Sequence, residues 1–588
     1  MMNRSEAAGL LARHFLRGLV HNDLQAPDAD QRETLAGIGG ILLTGGLFVS
    51  LLSGLKYVST PFLTPGRAAI GVLNDTFLFV GWAFIVMALV ALVKWDAMTI
   101  DERDTSIVGP LPVRHFDIVA AKLAAVTVFA LGFLLALTVV PSVIHPLLVA
   151  SSLRASSLPD AARLVVAHAA SSLGAGLFGF AAVMAVRETT RALLGVVLFR
   201  RISALLQGVL LAAFVVMFLL LPGASTDVAQ RWLGPGSALS AVTPPLWFVG
   251  LHEAIADDSV IGQPVPDVPP RAARAGREAT LRYLAGVPTL RRVAVTAVTA
   301  TALAVLLALA AYLWNTRRLP IADHRGATRG LAAQARALAC RTIVRRQAVR
   351  AGFFFAAQTL ARSVAHRSTM AAAAGVAGAV TILNARLPEA VAAASLPLSF
   401  LATQLAVVTA LVVGFRQALR LPADVRATWT FELAWTGDDR PYVAGVKRAA
   451  LILLVVPALA ALLPLSVLVM GVRLAFWHTA FGFLAAVSLL EALMLGLRRL
   501  PFVASYLPGG KLWAGPAGVL GFLIAAGVFS AVERMALQDE RRSLALGCVL
   551  LGLAAALRVV DVIQRRARPM VDLNEPPAPP TQRLVLAD

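Results

Sequence analysis

The chain has 588 residues, of which 58% are hydrophobic and only 15% are charged, and its formal net charge is +20. A soluble domain of this length needs more charge to cover its surface, so the composition excludes an ordinary soluble protein. The basic residues lie between apolar blocks and form no single patch with stacking aromatic rings, which argues against nucleic-acid binding. The lipid bilayer is therefore the expected environment of the chain.

Residues 1–34 are predicted to form an N-terminal cytoplasmic segment. They lack the continuous apolar core of a cleavable signal peptide. Leu11, Phe15 and Leu19 recur at helical spacing, which predicts an amphipathic helix over residues 10–20. Such helices typically lie in the membrane interface.

Twelve apolar segments follow, and most are close to the ~20 residues that a helix needs to cross a bilayer. The first six segments are residues 35–55, 76–93, 123–144, 164–186, 203–222 and 293–313. The second six are residues 370–385, 391–414, 449–470, 475–497, 515–532 and 543–560. The predicted fold class is therefore an all-α polytopic membrane protein with about 12 transmembrane helices.

The two sets of six segments share one plan, which predicts a 6+6 pseudo-repeat. Each set follows an amphipathic helix, the second of which is predicted over residues 351–364. In each set two spans precede a charged segment and four spans follow it. The predicted domains after the N-terminal segment are a first six-helix half (35–315), a basic linker with the second amphipathic helix (316–366), a second six-helix half (367–562) and a disordered cytoplasmic tail (563–588).

Arginine and lysine are concentrated after spans 4, 6, 8, 10 and 12. Because short cytoplasmic loops carry this excess, the pattern places both termini in the cytoplasm. The same orientation puts Trp95, Trp314 and Trp477 at span ends, where an amphipathic ring is favoured. The preference for Arg over Lys is typical of a GC-rich bacterial genome, so the expected location is a bacterial plasma (inner) membrane.

The sequence contains no recognisable catalytic motif, metal site or cofactor site. Gly509, Gly510 and Lys511 lack the first glycine and the hydroxyl residue of a phosphate-binding loop. Cys340 and Cys548 are far apart and predict neither a metal site nor a disulfide. The chain is therefore not expected to be an enzyme, and its energy source is expected to be an ion gradient or another chain.

Few ionisable residues lie inside the predicted spans, where a charge costs ~2.5–3.5 kcal/mol or more. His168 lies in span 4, and Glu491 lies in span 10 shortly before Arg498. A proton- or sodium-coupled carrier is expected to have more buried carboxylates than this.

The segment between spans 2 and 3 carries acidic residues on a side of the membrane that is otherwise basic. Its charged run is followed by a Pro-containing break and then by a basic residue at the start of a new helix. We call residues 101–113 the first elbow, and it has two interpretations, a solvated connector or a docking surface for a soluble partner. The docking candidates are Asp101, Glu102, Arg103, Asp104 and Arg114.

This layout resembles the permease subunits of ABC transporters, specifically the type-2 exporter class. In that family each half has six spans, an amphipathic helix precedes the first span, and a coupling segment lies between spans 2 and 3. Residues 101–104 and 111–114 match the acidic–basic run and the Leu, Pro and Arg of that segment. The family also has a partly re-entrant outer segment, which residues 243–253 resemble through Pro244, Pro245, Trp247 and Glu253.

The resemblance implies that separate ABC ATPase subunits bind the ATP, and it is compatible with a homodimer. It covers residues 1–315, whereas the second half matches in plan only. There the corresponding docking candidates are Asp438, Asp439 and Arg440. The implied cargo path lies between the halves and is mainly apolar, which favours a lipid-like or hydrophobic cargo.

Three other functions fit the sequence. A twelve-span carrier driven by an ion gradient would use Glu491. A membrane enzyme that acts on lipid-linked substrates would use His252 and Glu253. A scaffold for an envelope assembly would need no chemical site.

Overall fold

The computed structural model of the chain describes residues 4–20, 31–59, 65–100, 114–152, 158–226, 228–229, 242–256, 270–317, 340, 344–384, 396–423, 438–495, 497, 500–502 and 516–567. Within these residues the chain is helical apart from short turns and contains no strand. Eight helices of this part are long and apolar enough to cross a membrane, by length and composition. The chain is therefore an all-α protein of the multi-pass membrane type.

The chain divides into two compact units. Unit 1 comprises Met1–Asn22 and Asp28–Ala322, and unit 2 comprises Asp23–Pro27 and Asp323–Asp588. The helices of unit 1 are α1 (Arg4–Val20), α2 (Gln31–Ser59), α3 (Pro65–Val93), α4 (His115–Ser152), α5 (Leu158–Ala224), α6 (Pro244–Ala256) and α7 (Pro270–Arg317). Those of unit 2 are α8 (Gln347–Arg362), α9 (Val364–Asn384), α10 (Leu398–Ala418), α11 (Arg440–Ala450), α12 (Val456–Met494), α13 (Pro516–Ala536) and α14 (Glu540–Ala567).

Helix α3 is central to unit 1 and packs against α4, α5, α6 and α7. Its buried Phe77 and Phe84 belong to one apolar core with Leu221 of α5, Phe248 of α6 and Leu290 of α7. Lipid tails are as apolar as these side chains, so close packing rather than exclusion of water holds the helices together.

Both predicted amphipathic helices exist, and each packs against a later helix of its own unit. Phe15 and Leu19 of α1 are buried, and α1 packs against α4, where the Lys122 ammonium lies 4.7 Å from the centroid of the Phe15 ring. A cation over an aromatic face is an attractive contact. Helix α8 packs against α11 in the same way. The two units therefore share this local arrangement.

Two glycines bring α8 and α11 close together. A Cβ atom at Gly352 would overlap the carbonyl oxygen of Tyr442, and one at Gly445 would overlap that of Val349. The backbones can approach this closely only because neither position carries a side chain.

The sequence predicts a loop between spans 4 and 5, and this prediction is wrong. Residues 158–224 form the 67-residue helix α5, which is interrupted only at Gly195 (φ 70°, ψ 168°). Glycine adopts this backbone conformation without the steric cost that a Cβ atom imposes. The direction of the helix therefore changes at one residue, and the neighbouring arginines are helical.

Spans 9 and 10 are likewise joined without a loop. Residues 440–494 are continuous helix, with a π-helical turn at Leu451–Val455 and an interruption at Gly471 (φ 78°, ψ 166°). Pro457 lies two residues after the end of the π turn. Proline has no N–H for the helical hydrogen-bond ladder, which accounts for the irregularity. The eight candidate spans of the described residues count the two parts of α5 separately and residues 440–494 as one span, and α2, α9 and α13 are not among them.

Valine at Gly445 should destabilise unit 2, because its Cβ would push α11 away from Val349 of α8. We expect Gly445→Val to lower the free energy of unfolding by about 1–3 kcal/mol, the usual cost of overpacking. Thermal unfolding in detergent measures this. Gly552→Ala is the matched control, since nothing lies within 4 Å of a Cβ at Gly552. Equal unfolding temperatures for the two variants would contradict the close approach.

Candidate functional site

The first elbow lies between two described segments. Asp101, Glu102, Arg103 and Asp104 are outside the described residues. Arg114 is exposed and immediately precedes α4. Its carbonyl oxygen accepts a hydrogen bond of 2.9 Å from the N–H of Asp117. On the other side, residues 94–100 form turns after α3.

These turns are anchored in the interior of unit 1. The side chains of Trp95 and Met98 are fully buried, and the indole N–H of Trp95 donates to Ser203 Oγ at 2.9 Å. The Arg187 guanidinium lies 5.7 Å from the centroid of the Trp95 ring. Trp95 follows the end of a candidate span at Val93, as the sequence predicts, and its ring is covered by α5.

Four buried polar side chains tie these turns to α5 and α7. Arg187 donates to Thr99 Oγ1 at 3.0 Å and forms an ion pair with Glu188. The amide of Asn315 donates to the carbonyl oxygen of Glu188 at 2.9 Å and to its Oε2 at 2.7 Å. We call Thr99, Arg187, Glu188 and Asn315 the first root. Removing one partner of a buried pair like this one typically costs about 3–5 kcal/mol, so the first root is a stiff connection.

In unit 2 a buried histidine holds the chain that leaves α10. The Nε2–H of His366 donates to the carbonyl oxygen of Leu421 at 3.1 Å, and its Nδ1 lies 2.7 Å from Ser363 Oγ. Burial lowers the pKa of His366 below its ordinary value, so the ring is neutral at neutral pH. The break between α8 and α9 is thereby joined to the end of α10.

Phe502 holds the same stretch through its backbone. Its N–H donates to the carbonyl oxygen of Leu419 at 3.1 Å, and its own carbonyl oxygen accepts from the N–H of Ala423 at 2.8 Å. Phe502 is buried and has φ 67°, an uncommon conformation for a residue with a side chain. The two hydrogen bonds and the burial of the ring stabilise this strained residue.

The second set of docking candidates belongs to an ion-pair network. Arg440 donates to both carboxylate oxygens of Asp438, at 2.8 and 2.9 Å, and this lowers the pKa of the Asp438 carboxyl. Asp439 accepts from Arg565 of α14 at 2.8 Å. Both carboxylates are therefore already engaged by arginines of the chain itself.

Glu491 joins the same network. Buried Lys447 donates to Glu491 and, at 2.8 Å, to Asp561, which also accepts from Arg565 at 2.9 Å. We call Lys447, Glu491, Asp561 and Arg565, together with Asp439, the ion-pair network. Glu491 is therefore paired with Lys447, whereas Arg498, which follows Glu491 in the sequence, lies outside the described residues.

His168 lies in a second buried cluster, in unit 1. Its ring centroid is 5.3 Å from that of His145 and 6.1 Å from that of His252. The Nε2 atoms of His145 and His168 are buried and have no hydrogen-bond partner among the described residues. An unsatisfied buried polar atom is unusual in a folded protein and calls for an explanation.

The helix of the predicted re-entrant segment reaches this cluster. Helix α6 begins at Pro244; Pro245 is buried, and Trp247 is half-buried. Glu253 of α6 accepts a hydrogen bond from the Tyr283 hydroxyl and lies 3.3 Å from His252 Nδ1. No Lys or Arg among the described residues forms an ion pair with Glu253.

The cluster continues towards α2 and α3. The Lys56 ammonium donates to Asp75 at 2.5 Å, and the Tyr57 hydroxyl donates to the other oxygen of Asp75 at 2.6 Å. Ser53 Oγ lies 3.1 Å from His145 Nδ1. We call His145, His168, His252 and Glu253 the histidine cluster. The structure thus brings together two predicted residues, His168 and Glu253, that are far apart in sequence.

Sequence reasoning missed most of the buried carboxylates. Asp75, Glu188, Glu533 and Asp561 are buried, yet each lies one or two residues outside a predicted span. Glu533 pairs with His478 at 2.6 Å. The expectation of few buried carboxylates is therefore wrong. Among the described residues, no group of three or more His, Cys, Asp or Glu is arranged to hold a metal ion.

Comparison with known proteins identifies no relative, since no family model, no curated protein and no solved structure matches the chain.

His366 should make the stability of unit 2 depend on pH. Because the pKa is lowered in the folded chain, the unfolded chain binds a proton first as the pH falls through the ordinary value of 6.5. Stability from this residue is complete above 6.5 and is lost progressively below it. We expect the drop in unfolding temperature between about pH 7.5 and about pH 5.5 to be smaller in His366→Gln than in the unaltered chain. His115→Gln, at an exposed position, should leave the drop unchanged. Equal drops in the unaltered chain and His366→Gln would contradict the assignment.

Proposed function

We propose that the chain is the membrane-spanning permease of an ATP-driven exporter of the ABC type-2 class. Separate ATPase subunits would dock at the first elbow through Asp101, Glu102, Arg103, Asp104 and Arg114, and would bind the ATP that this chain does not. The observation that carries the proposal is the anchoring of the turns before this elbow in the first root.

An apolar cavity of about 300 Å³ lies next to these turns in unit 1. Its lining includes Met98 from the turns, Met87 from α3, Leu134 from α4, Phe180 from α5 and Tyr312 from α7. A displacement of the elbow would reach α5 and α7 through the first root and would move a wall of this cavity. The apolar lining supports a hydrophobic or lipid-like cargo.

The twelve-span, 6+6 plan is part of the proposal. Gly195 divides α5 into two helical parts, and Gly471 divides residues 440–494 in the same way. At a rise of 1.5 Å per residue, each of the four parts is at least about 34 Å long. The hydrocarbon core is ~30 Å thick, so each part is long enough for one crossing. We propose a bacterial inner membrane and cytoplasmic termini, on the basis of the basic loops.

The second docking candidates receive less support. Asp438 and Asp439 are bound by Arg440 and Arg565, so a partner's basic residue would have to displace an existing ion pair. We therefore propose the first elbow as the principal docking site.

Reversing the elbow charges with Asp101→Lys, Glu102→Lys and Asp104→Lys should abolish docking. We expect a chain purified from its own membranes to bring with it an ATP-hydrolysing subunit, and the triple variant to retain less than roughly a tenth of that hydrolysis. The control, Asp539→Lys with Glu540→Lys, reverses two exposed acidic residues of unit 2. Absence of an ATPase from the unaltered preparation would falsify the proposal.

The variant Thr99→Val tests docking of the ATPase separately from transmission of the elbow's movement to α5 and α7. The substitution removes the hydrogen bond from Arg187 to the turns and leaves the elbow charges intact. The ATPase should remain bound, while its hydrolysis rate falls at least roughly tenfold, as the loss of one charged hydrogen bond suggests. A loss of binding equal to that of the charge reversals would show that the first root only maintains the fold.

A second candidate function, a carrier coupled to a proton gradient, is favoured by the histidine cluster. Glu253 is buried, and its partners among the described residues are the Tyr283 hydroxyl and the His252 imidazole rather than a Lys or Arg. Buried ionisable groups of this kind mark proton pathways in membrane proteins. The imidazole rings of His252, His168 and His145 continue from it at 5.3–6.1 Å. Rings at such spacing could pass a proton through intervening water.

For this candidate, Glu253→Gln should reduce proton uptake. We would reconstitute the full chain in liposomes, impose a potential with potassium and valinomycin, and follow uptake with an internal pH-sensitive dye. Uptake by the variant should fall at least roughly tenfold, because an amide does not bind a proton near neutral pH. The exposed Glu278 provides the control, Glu278→Gln. If the unaltered chain takes up no proton above the lipid background, this second function is wrong.

A further inference from the structure

Unit 2 contains a cavity of about 830 Å³ that neither proposed function uses. Its lining comes from the residues before α8 and from α8, α11, α12 and α14. Seven of its lining side chains are Lys or Arg and three are Asp or Glu, so basic side chains outnumber acidic ones in the lining. A further carboxylate, Asp439, pairs with Arg565 beside the cavity.

Each carboxylate around the cavity already has a basic partner. Asp438 is bound by Arg440, while Glu491 and Asp561 are bound by Lys447. None of these ion pairs includes Arg346 or Arg558.

Two of these arginines stand out. Arg346 and Arg558 are exposed, and neither has a carboxylate within ion-pair distance among the described residues. Arg346 precedes α8, and Arg558 lies on the last turns of α14, so they approach the cavity from different helices. A concave site with unbalanced positive charge concentrates anions, and guanidinium groups bind phosphate oxygens in pairs.

The surroundings of Arg558 indicate which class of molecule carries the anion. Val559, Val560 and Ile563 follow it on α14, and their side chains are 56%, 41% and 58% exposed. On a helix that is long and apolar enough to span a membrane, such side chains face lipid tails. Val562 on the same turn lines the cavity. A molecule with an anionic head and an apolar tail therefore matches both surfaces.

We propose that this cavity binds the phosphate headgroup of an anionic membrane lipid, with its acyl chains along α14. Basic pockets beside membrane helices are known sites for such headgroups. The volume is within the usual range for ligand pockets, ~300–1,000 Å³. The bound lipid holds the start of α11 against α14. In this way it stabilises the stretch where Asp438 and Asp439 begin the helix.

Lipid binding to the full-length chain in detergent tests this directly. Native mass spectrometry would compare added phosphatidylglycerol with phosphatidylcholine, which has no net charge. We expect clear preference for phosphatidylglycerol, and at least roughly tenfold weaker binding in the double variant Arg346→Glu, Arg558→Glu, since each basic residue contributes about fivefold. Both positions are exposed, so the variant should fold; Arg346→Gln with Arg558→Gln is the milder replacement if it does not.

The control is Arg541→Glu with Arg542→Glu, two exposed residues at the other end of α14. This control should keep phosphatidylglycerol binding within about twofold. Equal losses in the two double variants would overturn the site, because overall charge would then explain the binding. Pyrophosphate is the soluble probe, and competition by it at the lipid's own concentration would overturn the lipid assignment in favour of a free phosphate. Equal binding of both lipids would also overturn the proposal.

Discussion

Charged side chains inside an apolar helical protein are stable only when a nearby polar or charged group supplies their partner. This constraint determines how helices are joined in both units. In unit 1 the carboxylate of Glu188 is bound by Arg187 of its own helix and by Asn315 of α7. In unit 2 Lys447 of α11 joins Glu491 of α12 to Asp561 of α14. Because lipid tails give apolar helices no reason to prefer one another, these polar contacts select which helices pair and in what register.

The sequence predicts the elements better than it predicts the sites. Each apolar block overlaps a helix of the described residues, but only eight helices there are long and apolar enough to span a membrane. The helical spacing of Phe15 and Leu19 correctly predicts a helix with a buried face. The average hydropathy of a segment, however, falls at a charged residue. The sequence therefore places Asp75 and Asp561 at the flanks of spans 2 and 12, although the helices continue through them and bury them.

The sequence also does not reveal where two helices are joined or which distant residues meet in the fold. Gly195 and Gly471 resemble ordinary turn residues in sequence, and only the backbone shows that helix continues on both sides. Glu253 and His168 were singled out separately, one as part of an outer segment and the other as an intramembrane group. Their proximity, with His252 between them, depends on how α6 packs against α5, which spacing along the chain does not encode.

The candidate sites of the two units favour ligands of opposite charge. In unit 1, Lys56 and Asp75 form an ion pair, and Glu253 has a hydroxyl and an imidazole beside it. In unit 2, every carboxylate of the large cavity is paired, and Arg346 and Arg558 have no carboxylate within ion-pair distance among the described residues. A buried charge is costly unless a partner balances it. Under the proposals above, that partner is a proton at Glu253 and an anion at the cavity, so the same electrostatic requirement leads to opposite ligands in the two units.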